Sequence, residues 1–192
     1  MDYVIGQIDR ALDVNSAVVA ALDSGNLDAP TPRQDWDVRT ELNHTIGTMH
    51  IFAAVLSGTY SGAERESDWL GGDPRGAYAA AAEIDRAAWH RPDVLDSVIR
   101  HPAGTLPAPR AALLHWAELT THGVDIAIAI GRPDLADNAL CAELLDTLQA
   151  EGGIDEFRGS GLFGAEVPAV PSDPGHRRLL AYVGRALLSS TT

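Results

Sequence analysis

Two residues in the segment Glu118-Leu119-Thr120-Thr121-His122 have the types and the spacing to share a cation. Four positions is slightly more than one helical turn, so on a helix the carboxylate and the imidazole project side by side. A carboxylate oxygen and an imidazole nitrogen are both ligands for divalent metals. At about 100° per residue, His122 falls about 40° from Glu118, His115 about 60° away, and Asp125 about 20° to the other side. The four ionisable side chains therefore share one arc, opposite Leu113, Trp116, Leu119, Val124 and Ile128. The arc holds no arginine and is flanked by Ala111, Leu114 and Ala129. The polar face of an ordinary surface helix would look the same. Exposed faces usually mix both signs of charge, so the wall of an internal site suits this arc at least as well.

A pair of ligands needs a third from another helix. His44, in Glu41-Leu42-Asn43-His44, is the candidate. Its helix carries two apolar stripes. One is Leu42, Ile46, Met49 and Leu56; the other, roughly opposite, runs through His44, Gly47, Ile51 and Val55. Such a helix is expected to be sandwiched, with His44 enclosed. A buried histidine is more often a hydrogen-bonded core residue than a ligand, and that alternative stands. His50, His90, His101 and His176 are weaker candidates: His90 and His101 adjoin breaks expected to be exposed, and His50 falls on neither stripe. Cys141 lies among Leu140, Ala142 and Leu144 and reads as a small buried residue rather than a nucleophile.

The elements that must position these residues are helical. Apolar residues recur at helical steps from Asp2 to about Leu22, from Asp35 or Asp37 to about Leu56, and from about Pro109 to Ile130. An Ala-rich helix is expected over Gly76 to His90, a fifth over Ala136 to about Ala150, and a last over about His176 to Leu188. Gly58 to Arg75 reads as a loop, Asp93 to Arg100 as a short helix or an extended piece, and Glu151 to Gly175 as irregular. Breaks are expected at His101-Pro102-Ala103-Gly104 and Pro107-Ala108-Pro109. No strand alternation is sustained. The class is all-α, a four-helix bundle with one long crossover and additional C-terminal helices. A single domain is expected over 1–192, with a bundle core over about 1–132 and a helical extension over about 133–192.

Composition narrows the partners. Asp plus Glu is 27 against 14 cationic residues, all arginine, for a formal net charge of −13. Like-charge repulsion argues against nucleic acid or an anionic membrane face as the main partner. One cysteine forms no internal disulfide and no Cys-rich zinc site. The N-terminus lacks a basic region before an apolar run, so the expected location is the cytoplasm.

Three segments carry a resemblance. Pro32 to His44 resembles the W-x-V-x-x-L-x-x-H opening of the second helix in the DinB/YfiT-like superfamily of metalloenzymes. It is most similar to the actinobacterial branch of mycothiol-dependent maleylpyruvate isomerase-like proteins. Glu118 to Ala127, followed by Gly131-Arg132-Pro133, is similar to that branch's E-x-x-x-H-x-x-D-x-A…G-R-P run, and Arg178 to Arg185 resembles its R-L-L-A-x-x-G-R ending. The resemblance implies a DinB-like four-helix bundle with one divalent metal on His44, Glu118 and His122. Zinc is the first choice, with nickel, iron or manganese as alternatives. It further implies a low-molecular-weight thiol such as mycothiol as co-substrate and a small electrophile as substrate, for transfer or isomerisation. A homodimer suits the architecture. The isomerase carries a further C-terminal domain and this chain ends soon after the bundle, so the expectation is the metal chemistry rather than maleylpyruvate itself. A non-catalytic metal- or ligand-binding stress or regulatory bundle, or a metal-free dimeric relative, are the alternatives. Asp125 is expected either to orient a ligand or to be a solvated or capping carboxylate. Arg178 and Arg185 are expected either to bind an anionic substrate or thiol or to form surface salt bridges.

Overall fold

A computed structural model describes residues 3–23, 25–62, 67–101, 104–158 and 163–185. Four helices form the bundle: α1 (Tyr3–Ala20), α2 (Val38–Ser57), α3 (Pro74–Trp89) and α4 (Ala108–Ala129). α1 packs against α3 and α4, and α2 packs against the same two, so the sequence neighbours α1–α2 and α3–α4 lie across the diagonals. The crossover from α1 to α2 is the 21–37 segment. α5 (Asn138–Ala150) and α7 (Gly175–Tyr182) pack on each other and on α4, with a single helical turn, α6 (Asp155–Arg158), between them.

Each start and stop has a local cause. Asp37 accepts a 2.8 Å hydrogen bond from the Thr40 N–H at the head of α2. Asp73 accepts from the Gly76 N–H at the head of α3, where Pro74 takes the first position. Asp137 accepts from the Ala139 and Leu140 N–H groups at the head of α5 and also pairs with Arg10 of α1 at 2.6 Å. That one carboxylate both caps α5 and ties it to the bundle.

Two expectations are corrected. The stretches read as breaks around His101–Gly104 and Pro107 contribute to a two-stranded antiparallel hairpin, β1 (Val98–His101) and β2 (Gly104–Pro107), with Ile99 opposite Leu106. Strands of four residues are too short to show an alternating pattern, and their pairing is backbone work. The hairpin delivers the chain straight into α4, where the Ala108 N–H donates to the Ser97 carbonyl at 3.0 Å. The stretch after Glu151, read as irregular, contains the turn α6. Part of the expected last helix, beyond residue 185, lies outside the described residues.

α4 is the core of the molecule. From residue 111 to 127 its side chains are buried on every face, with one exception, the partly exposed Glu118. Trp116, Ala117 and Leu119 meet the same interior as Leu12, Leu42, Ile46 and Met49. Large apolar side chains buried to this degree contribute about 1.5–3 kcal/mol each. The approach of α1 to α4 is close enough to need Gly123: a Cβ there would stand 1.7 Å from the Asn15 Oδ1, while the Asn15 amide donates to the Leu119 carbonyl at 2.8 Å.

Glycine to alanine inside a helix normally stabilises by about 1 kcal/mol. For Gly123→Ala the opposite sign is expected, a loss of about 1–3 kcal/mol from overpacking, read as a lower urea midpoint.

Candidate metal centre

α2 and α4 bring the three expected ligands together. His44 Nε2 lies 3.2 Å from Glu118 Oε2, and His122 Nε2 lies 3.0 Å from the same oxygen. One ligand atom from each of the three residues falls within 4.8 Å of the others. The cluster has a wet side and a dry side: the side chains of His44 and Glu118 keep 35% and 17% of their exposure, that of His122 only 2%.

The dry side is built from a residue that the sequence reading passed over. Glu41, fully buried on α2, contacts His122 Nδ1 through Oε1 and accepts from the Thr31 hydroxyl at 2.8 Å through Oε2. A hydrogen on Nδ1 held by Glu41 aims Nε2 at Glu118, where a metal ion would take the place of its proton, the arrangement by which carboxylates orient metal-bound histidines. Glu41 sits three residues before His44, on the same turn of α2. An E-x-x-H spacing facing an E-x-x-x-H spacing was the available signal.

Asp125 and Arg185 complete the interior. Arg185 Nε donates to Asp125 Oδ2 at 2.9 Å, with both groups buried. Asp125 Oδ2 is also 3.9 Å from His122 Nδ1. Gly184, with φ of 82°, ends α7 and turns Arg185 inward; a Cβ on it would collide with the backbone of Gly164. Asp125 is thus neither solvated nor a helix cap, and Arg185 forms a buried ion pair rather than a surface one. Arg178, half-buried on α7, makes none of the contacts of this cluster.

The charges interlock. Burial works against the ionised form of Glu118, yet His122 and His44 hold its carboxyl well below the usual range. Burial also opposes a charged His122, but Glu41 and Glu118 outweigh it and push the imidazole up to about 9. Glu41 is held below its usual range by His122, against its own desolvation. Burial lowers His44 despite Glu118. Asp125 rises to about 7 because its desolvation exceeds what Arg185 returns.

Aromatic rings wall the cluster. Trp36, from the loop ahead of α2, lies nearly parallel to the His122 ring at 6.1 Å and edge-on to His44 at 5.0 Å. The remaining histidines go elsewhere. His115 pairs with Asp85 of α3 at 2.7 Å, both fully buried and packed on Phe52 and Trp89. His50 stacks on Trp69, His90 meets Asp9, and His176 meets Asn138. The His101 side chain lies outside the described residues. Cys141 is buried, which pushes its thiol up to about 12 and away from nucleophilic use.

Two imidazole nitrogens and a carboxylate oxygen converging from two helices, with one ring oriented from behind by a carboxylate, form a donor set that fits one divalent ion. No helix among the described residues is long and apolar enough to cross a membrane.

Comparison with known proteins gives concordant results. The family model described as "Mycothiol maleylpyruvate isomerase N-terminal domain" matches residues 8–127, more than half of the chain. Uncharacterized proteins from two strains of Mycobacterium tuberculosis are 27% identical over 179 residues, covering 93% of this chain and 95% of theirs. Among solved structures, the mycothiol-dependent maleylpyruvate isomerase superposes with a TM-score of 0.55 at 14% identity, covering 78% of this chain and 71% of that one. A histidine-to-alanine mutant of that isomerase superposes with a TM-score of 0.54 at 16% identity. These superpositions establish a shared fold.

The raised His122 gives a pH signature for protein stripped of metal. Its folded pKa of about 9 exceeds the ordinary 6.5, so the stabilisation is complete below 6.5 and is lost as pH rises to about 9. Urea midpoints are expected to fall across that window, and Glu41→Gln to flatten the slope. A midpoint independent of pH from 6.5 to 9 would contradict the bracketing of His122 by two carboxylates.

Proposed function

The chain belongs to the mycothiol maleylpyruvate isomerase N-terminal domain family, and on that footing we propose that it is a metal- and thiol-dependent transferase or isomerase of a small electrophile. His44, Glu118 and His122 hold one divalent ion in this reading, zinc in the first instance, with nickel, iron or manganese as alternatives. Mycothiol is the thiol. The observation that carries the reading is the convergence of two Nε2 atoms, at 3.2 and 3.0 Å, on one carboxylate oxygen at the partly exposed edge of an otherwise dry cluster.

Three protein ligands leave at least one coordination position open, the catalytic rather than the structural pattern. When bound, a divalent ion supplies Lewis acidity that lowers the pKa of a thiol or water at that position. The chain's own residues do the rest. Glu118 contributes the compensating negative charge. Glu41 keeps the Nδ1 hydrogen of His122 in place, so the ring presents Nε2 and does not rotate. The Asp125–Arg185 pair fixes charge behind His122, and Trp36 lies parallel to the His122 ring and edge-on to His44. The sulfur comes from outside, because Cys141 is buried in α5. A cytoplasmic setting, where small thiols are kept reduced, suits this chemistry.

The test is metal content followed by turnover. Wild-type protein loaded with zinc and dialysed is expected to retain one equivalent. His44→Ala, Glu118→Gln and His122→Ala are each expected to lose it, with affinity down at least about a hundredfold, since each removes one ligand of three. Mycothiol consumption with chlorodinitrobenzene is expected in wild type and not in these variants. No retained metal in wild type would end the reading. Metal without thiol turnover of any electrophile would leave a binding protein.

A further inference from the structure

Arginine is the chain's only fixed cation; six of the fourteen pair with carboxylates, and Arg75 and Arg91 donate to backbone carbonyls. Arg10, Arg86, Arg110, Arg132, Arg158 and Arg185 each meet a carboxylate. Arg33 does not. It is half-buried at the tip of the loop between α1 and α2, and no carboxylate among the described residues lies within ion-pair distance of it, in a chain with 27 acidic residues.

Its position is nevertheless fixed. The loop is closed at its base by the Pro30–Asp37 bridge and by the Thr31 N–H donating to the Trp36 carbonyl at 3.0 Å. The Thr31 hydroxyl anchors the loop to Glu41. Within it, the Arg33 guanidinium lies 3.6 Å from the centre of the Trp36 ring, whose centre is in turn 5.0 Å from that of His44 and 6.1 Å from that of His122. One face of the guanidinium is therefore covered by indole, while its edge, which carries the N–H donors, has no counter-ion among the described residues. Arg33 also feels the charges of Arg185, Glu41, Glu118 and Asp125, and its burial together with the like charge of Arg185 lowers its pKa. A cation partly stripped of water, stacked, and without an ion-pair partner among the described residues is poised for an anion from outside. A planar fork of donors fits a carboxylate in particular.

We propose that Arg33 is the anion-recognition residue of the site: an organic acid pairs its carboxylate with Arg33 while its other end reaches the edge exposed at His44 and Glu118. The choice of that second end rests on the metal reading; the Arg33 contact does not.

Calorimetric titration with succinate, glutarate and their dimethyl esters tests this, in zinc-loaded and in zinc-free protein. At least one acid is expected to bind wild type at least tenfold more tightly than its ester. Arg33→Gln is expected to lose at least tenfold in acid affinity and nothing for the ester, and Arg33→Lys to recover part of the loss. Zinc stoichiometry and melting temperature should be unchanged in both variants. Equal acid affinity in wild type and Arg33→Gln, equal affinity for acid and ester, or no acid binding to wild type would each overturn the proposal. Absence of zinc binding in wild type would overturn the metal reading alone, since Arg33-dependent binding of the acids is read separately in zinc-free protein.

Discussion

Everything around the site answers to one constraint: three carboxylates, Glu41, Glu118 and Asp125, are carried into or against the interior where α2 meets α4. Removing one such group from water costs several kcal/mol unless opposite charge or donors replace the water. His122 is the main replacement, with a carboxylate at each ring nitrogen. The imidazole joins the two helices more specifically than apolar contact would, because both its nitrogens have directional partners.

The remaining polar partners arrive from distant parts of the chain. Thr31 comes from the crossover loop and Arg185 from the end of α7, 60 residues beyond its partner Asp125. The C-terminal helices are therefore part of the electrostatics of the bundle, not an appendage to it. Loss of Arg185 would leave Asp125 with two unsatisfied oxygens in a dry environment, since Oδ1 has no hydrogen-bond partner as it is.

The helices are legible in the sequence because caps and breakers are local: Asp37 announces α2 within one turn, whereas Asp73 and Pro74, which read as the end of a loop, are the cap and first residue of α3. The hairpin is not, because four-residue strands carry no period and, among the described side chains of β1, only Ile99 is buried. In the site, the helical angle between Glu118, His122 and Asp125 was legible, since it depends on spacing alone. Whether that arc faced water or the interior was not, because it depends on which helices cover α4. Glu41 was missed because its turn was read for apolar stripes, although its spacing to His44 was in plain view. Arg185 reads as an anion binder or a surface salt bridge, because a buried ion pair between residues so far apart leaves no trace in either neighbourhood.

The exposed loop and the buried helix differ in what they can tolerate. α4 is enclosed on all sides, so replacing almost any residue along it disturbs packing and ligand placement together. The tip of the 31–36 loop belongs to no helix, is closed by its own backbone, and presents Arg33 at the rim. A change of side chain there alters what is recognised without repacking the interior. Divergence of specificity among proteins with this architecture would therefore concentrate at the tip, Arg33 to Asp35, rather than in the helices that carry His44, Glu118 and His122.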